Sequence, residues 1–200
     1  MRLWKIISRP TYETSIHDGR LVCDDHFMEQ DWRLAYEWMA LQLTKRVVPS
    51  PADTRFPQWA WSQWEGPECK RPDLRTFRHR VAPGEYVRLT LEIDPDRVLL
   101  SDFDEWHFPL NNWYLPFDEA DAKKFEQILV RDHVAFGGPH PPHTQNLIEA
   151  SWHRIFDLGA EDPYGTRSKP EHQSIQATFW ELFIDDVIDV THFSSCVAAE

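Results

Sequence analysis

Val87, Leu89, Leu91 and Ile93 alternate with Arg88, Thr90 and Glu92, and the pattern stops at Asp94-Pro95-Asp96. Successive side chains of a strand point to opposite faces, so this segment is a strand with one face on a core and the other in polar surroundings. A strand buried on both faces, as in a doubly wound parallel sheet, reads instead as a continuous apolar run. Strands and helices are interspersed along the chain without regular strand-helix-strand spacing. The class this implies is α+β: a single compact domain over residues 1–200, with a mixed or antiparallel sheet flanked by helices.

The remaining segments are read in the same way. Residues 3–8 form a first strand, Pro10 suits the first turn of a helix, and Gly19 would end that helix as a left-handed cap. Over residues 29–46, Trp32, Tyr36, Met39 and Leu43 recur at helical spacing, which predicts an amphipathic helix with these four on one face. After Pro49, Pro51 and Pro57, the run Gln58-Trp59-Ala60-Trp61 alternates as a strand with two rings on one face. Residues 65–84 are loop-like, residues 98–101 form a strand, and Asp102 or Asp104 caps a short helix reaching Asn111. Helices are expected over 118–133 and 145–156, and loops over 137–143 and 159–173. Residues 174–184 and 187–193 close the chain as strand-like runs on either side of Asp185-Asp186.

A formal net charge of -12 leaves no broad Lys/Arg surface to displace the counterions of a nucleic acid. One local cluster, Lys70, Arg71, Arg75, Arg78 and Arg80, still suits an anion, so nucleic acid is neither implied nor excluded. Ten Trp and twelve Phe are too many rings to scatter over a solvated surface, and many must be buried or line a groove. Cys23, Cys69 and Cys196, an odd number at long spacings, suggest neither a disulfide framework nor a CxxC metal pair, which fits a reducing cytosol. The first apolar run ends too soon for a signal peptide, and no run of about 18 apolar residues could span a bilayer. The expectation is a cytoplasmic protein with no membrane partner; no pattern sets an oligomeric state.

Three segments carry candidate chemistry. In the first, residues 101–112, Asp104, His107 and Asn111 fall at i, i+3 and i+7 and would share a helix face around one ligand. The structural alternative has Asp102 and Asp104 capping the helix and His107 bonding a neighbouring loop. Asp102, Asp104 and His107 also make a metal set, but no fixed spacing such as HExxH accompanies them, so no metal is expected. The second segment pairs Trp59, Trp61, Gln63 and Trp64 with Lys70-Arg71-Pro72-Asp73-Leu74-Arg75. There Trp61 could stack a base while Arg71 and Arg75 grip phosphate; the alternative is a Trp-rich core beside an ion-pair loop. In the third, Gln176, Thr178 and Trp180 lie on one side of a strand and Ala177, Phe179 and Glu181 on the other. Glu181 either pairs with a cation across the sheet or stands in a cleft with a raised pKa. No P-loop, GxGxxG, GxSxG or kinase motif is present.

Leu3-Trp4-Lys5-Ile6, Tyr36-Glu37-Trp38-Met39, Trp59-Ala60-Trp61, Lys70-Arg71-Pro72-Asp73-Leu74-Arg75, the run from Leu99 through Asp102-Phe103-Asp104 to His107, Ile155-Phe156-Asp157-Leu158 and Gln176-Ala177-Thr178-Phe179 together resemble a bacterial domain-of-unknown-function family, number three-eight-four-one. That resemblance spans nearly the whole chain and implies one domain without an established activity. A more distant resemblance is to ADP-ribosyltransferase folds, particularly the bacterial toxins that modify DNA. Those folds open with a strand, a helix and a Gly, carry an aromatic strand leading to an Arg-Ser-Pro-like segment, and end with a strand bearing the catalytic Glu. The resemblance implies that Arg71-Pro72 grips the diphosphate of NAD and that Gln176-Ala177-Thr178-Phe179 stands for a Gln-Ala-Glu-Phe strand. Thr178 then occupies the place of the catalytic Glu and Lys5 that of a nicotinamide-contacting His, so either Glu181 substitutes by a local shift or the domain is inactive.

The function expected is an ADP-ribosyltransferase-like NAD or nucleotide-binding domain, with NAD as cofactor and a small-molecule nucleotide as partner. Glu181, Asp104 and His107 are its catalytic candidates, and Trp61, Arg71, Arg75 and Gln176 its cofactor contacts. The alternatives are a non-catalytic module that binds a protein or nucleotide in a Trp-rich groove, and a metal-dependent hydrolase using Asp102, Asp104 and His107. All three segments are expected on one concave surface, because a pocket needs charges to converge among aromatics.

Overall fold

The computed structural model describes residues 1–23, 30–79, 81–134 and 139–195. Strand β1 (Arg2–Ser8) runs into helix α1 (Arg9–Asp18), whose first turn is closed by the Ser8 hydroxyl accepting from Thr11 N. Gly19 ends α1 at φ 75, the left-handed geometry that glycine adopts without a Cβ penalty. The short strand β2 (Arg20–Leu21) follows, then α2 (Arg33–Arg46), β3 (Gln58–Gln63), the single turn α3 (Leu74–Phe77) and β4 (Gly84–Glu92). The second half comprises β5 (Leu99–Asp102), α4 (Phe103–Leu110), α5 (Glu119–Arg131), α6 (Pro142–Ser151), β6 (Ile175–Phe179), β7 (Leu182–Phe183) and β8 (Val187–Ser195).

Among the described residues the main sheet has six strands in the order β5-β6-β3-β1-β4-β8, and every neighbouring pair is antiparallel. The open choice between a mixed and an antiparallel sheet is thereby resolved. β2 and β7 form a separate antiparallel pair. One row of register partners, Thr90, Trp4, Trp61, Gln176 and Ser101, crosses five strands on one face. On that face α2, α4 and the 3-10 segment that follows α6 pack Trp38, Met39, Leu43, Trp106 and Trp152 against Leu99 and Trp180. The opposite face carries Leu3, Ala60, Leu89, Leu91, Ala177 and Phe179, joined by Leu182 and by Tyr12 of α1. Each fully buried Leu or Phe contributes about 1.5–3 kcal/mol, so a core on either face is what holds this sheet.

Three expectations need correction. The buried face of α2 is Ala35, Trp38, Met39, Gln42 and Leu43, whereas Trp32 sits in a 3-10 turn before the helix and is 43% exposed. Apolar side chains occur on several sides of α2, and the face that wins is the one where Trp38 meets Trp152 edge-on and stacks on Phe156. Tyr36 is half-buried beside Trp59 and Trp106; Glu29 lies outside the described residues. The helix expected over 145–156 starts at Pro142 and tightens to 3-10 geometry over Trp152–Phe156. The strand expected over 174–184 stops at Phe179, where the Trp180 indole donates to Val48 O and the chain leaves the sheet to pair with β2. Part of the loop at 137–143 lies outside the described residues.

Candidate functional site

β3 leaves the sheet through a register shift between Trp61 and Gln63, and the Gln63 amide donates to Gln173 O at 2.7 Å. The half-buried Trp61 meets Trp64 edge-on at 4.5 Å and Phe103 at 4.9 Å; Trp64 continues to Phe77, and Phe103 to His107. Five rings thus join the first turns of α4 to α3. Beyond Trp64, Gly66 adopts φ +95, and a Cβ there would lie 1.9 Å from Glu171 O. Only glycine allows this loop to lie against residues 171–173, where Gly66 N donates to Gln173 O.

The loop returns through Arg71 and Pro72 to Asp73, which caps α3 by accepting from Arg75 N and grips the Arg75 guanidinium. That side-chain hydrogen bond is the main reason the Asp73 carboxyl is held down to about 2. A pocket of about 480 Å³ opens here, lined by Trp64, Arg71, Pro72, Arg75 and Thr76, with Glu65 and Asp73 as its carboxylates. Its floor is Arg88 of β4, only 7% exposed. Arg88 donates to Pro72 O and to the Thr191 hydroxyl, but its Nε is buried without a partner, and among the described residues it bonds no carboxylate. Burial, and then the nearby charge of Arg71, lower the Arg88 pKa; Asp189 and Asp73 pull the other way. A buried cation short of hydrogen bonds, flanked by two more guanidiniums, has the chemistry to receive an anion.

Arg71 and Arg75 therefore share one pocket. Trp61 reaches it through Trp64, and Gln176 lies opposite Trp61 with its Oε1 buried and unpartnered. Thr178 is fully buried opposite Trp59, its hydroxyl likewise unpartnered. Asp104 accepts from Ser168 N, and the exposed His107 has Nδ1 near Phe103 O and Asp104 O. Asn111 terminates α4 and donates to His107 O.

Asp102 is the cap, accepting from Glu105 N and from the Gln173 amide, and burial raises its pKa. Among the described residues no group of three His, Cys, Asp or Glu is placed to hold a metal, so the hydrolase alternative lacks its ligand set. The residue that organises this segment is Glu105, fully buried, which accepts from Arg167, Arg154 and Thr166 and ties the loop over 159–173 to α4. The sequence alone singles out neither Glu105 nor Arg88: the signal for Glu105 is a carboxylate one position before a buried Trp, and for Arg88 the strand alternation indicates only a polar face.

Glu181 stands elsewhere. It is bonded by Arg20, whose other nitrogen bonds Asp53, and it precedes the strand whose Leu182 packs in the second core. The expectation of one concave surface for all three segments is corrected: the break at Trp180 carries Glu181 out of the sheet and away from Arg71 and Arg75.

What the fold and site define is an antiparallel α+β domain with a basic, ring-flanked pocket. The chain belongs to the family described as Domain of unknown function (DUF3841), whose family model matches residues 2–188. No curated protein and no solved structure matches it. No described helix is long and apolar enough to cross a membrane.

Proposed function

We propose that this is a cytoplasmic nucleotide-binding domain that takes NAD or a related adenine nucleotide, with the diphosphate between Arg71, Arg75 and Arg88 and the base on the Trp64–Trp61 rings. The observation that carries the reading is Arg88, a buried guanidinium with an unpartnered Nε at the floor of a pocket whose rim holds two more arginines. The resemblance to ADP-ribosyltransferases supports it through β3 and β6, which are adjacent in the sheet, with Arg71-Pro72 following the aromatic strand; Lys5 of β1, in the place of the nicotinamide-contacting His, lies on the other face from Arg88 and lends no support. Turnover has weaker support than binding. Thr178 offers no charge to an oxocarbenium-like centre, and Glu181 is bonded by Arg20 away from the pocket. The favoured reading is therefore binding without nicotinamide release.

Calorimetry with NAD, ADP and AMP tests this. Arg71→Ala should weaken binding by about tenfold to a hundredfold, the loss of a charge-assisted bond worth about 1.5–3 kcal/mol. Arg75→Ala should do less, because Asp73 already holds that guanidinium, and Glu181→Gln should leave affinity unchanged. Absence of binding at millimolar nucleotide, or affinity indifferent to Arg71, removes the reading. Nicotinamide release that is lost in Glu181→Gln restores the transferase.

A further inference from the structure

On the other face of the sheet from Arg88, Lys5 pairs in register with Leu89, so strand alternation directs it to the same side as Leu3 and Ile7. Its Nζ donates to Trp59 O at 2.6 Å. Beside it lies a cleft of about 920 Å³ between α1, β1, β2 and the segment over 52–55, with Thr11, Thr14 and Gln58 on its walls. The titratable and charged groups sharing this cleft are Asp18 at the end of α1, Arg20 and Cys23 beyond it, and Asp53 and Arg55 across from it. Arg20 is held by Asp53 and Glu181, and Arg55 by Glu37. Among the described residues no carboxylate forms an ion pair with Lys5; Cys23 is the group whose charge acts on it.

We propose that Lys5 is an amine nucleophile that captures a small polar aldehyde or ketone in this cleft as a reversible imine. An unpaired amine can meet a ligand in two ways, as an ammonium binding an anion or as a neutral amine attacking a carbonyl carbon. The surroundings decide between them. Burial against the apolar face brings the ammonium down to about 8, with Cys23 acting weakly in the opposite direction. At pH 7 roughly a tenth of such an amine is neutral, against roughly three parts in ten thousand for an ordinary lysine. A lysine desolvated in this way is an activated nucleophile.

In the step itself, the nitrogen lone pair adds to the carbonyl carbon, the carbonyl π pair moves to oxygen, and a proton passes from nitrogen to that oxygen. The carbinolamine then loses water to give the imine, with no change of oxidation state. The proposal is independent of the nucleotide reading, because the two sites lie on opposite faces of the sheet.

The full chain would be incubated at pH 7 with glyceraldehyde as the probe and with cyanoborohydride, which reduces each imine to a stable secondary amine. Modification would be read by peptide mass spectrometry. Lys5 should be labelled at least about tenfold faster than the exposed Lys123; intrinsic nucleophilicity falls with pKa and offsets part of the gain in neutral fraction. Its rate should saturate with probe concentration and level off above about pH 8, while the rate at Lys123 keeps rising. Lys5→Arg keeps the cation and should remove the fast phase alone. Labelling of Lys5 no faster than of Lys123, or linear in probe concentration, overturns the proposal.

Discussion

Glu105 has no exposed surface, and a bare carboxylate there would be several kcal/mol too costly to bury. Three donors make it tolerable: Arg167 Nη2 at 2.8 Å, the Thr166 hydroxyl at 2.8 Å and Arg154 Nη2 at 3.4 Å. Arg167 is itself 5% exposed, so each partner depends on the other's charge. Glu105→Gln keeps the volume but leaves Arg167 with Asp102, 3.9 Å from its Nε, as its remaining buried carboxylate, and the expected loss is about 3 kcal/mol, the low end of what removing one member of a buried pair costs. Urea denaturation measures it. A loss under about 1 kcal/mol would mean that water reaches the network and that the loop over 159–173 is held by other contacts.

At the scale of elements, the loop carrying Arg71 and the loop over 159–173 are joined at Gly66, where a methyl group would meet the backbone oxygen of Glu171. Backbone cannot move aside as a side chain tip can, so Gly66→Ala should part the two loops. The prediction is a drop in nucleotide affinity of at least about tenfold with the sheet intact by circular dichroism, since a misplaced pocket loses its charge-assisted bonds while the core is untouched. Unchanged affinity would show that the pocket does not depend on this contact.

Much at this scale was legible beforehand. The alternation over 87–93 gave β4, Gly19 gave the end of α1, and Asp102 gave the cap of α4, because each signal is local. The buried face of α2 and the stop at Phe179 were not legible, since Trp38 and Trp180 are oriented by Trp152 and Val48, which are far away in sequence. The candidate site divides in the same way. Arg71 and Arg75 are neighbours in the chain and remain neighbours in the pocket, whereas Arg88 joins them only through the sheet, and Glu181 is removed from them by the same break that ends β6.

For the whole molecule, a sheet with a core on each face must bury whatever its strands carry, and that is unfavourable for Lys5 on one face as it is for Arg88 on the other. Its ammonium falls from the ordinary 10.5 to about 8, principally by desolvation. Between those values the unfolded chain holds a proton that the folded chain has released, so folding stability rises with pH over that window. Below about 8 both states are protonated and the folded state bears the full penalty; above 10.5 neither does. Lys5→Met has no such penalty and keeps the apolar contacts, so it should be more stable than the wild type at pH 7, by at most about 3 kcal/mol from the size of the drop and less where water enters the cleft. That advantage should shrink steadily from pH 8 to 10.5, because the other titrating groups are common to both proteins and cancel in the difference; Cys23, which interacts with Lys5, is the exception. Urea midpoints of the two proteins at four pH values across this range give the comparison. An advantage that stays constant or grows with pH would mean that Lys5 is protonated and solvated in the folded state, which would also deprive the cleft of its nucleophile.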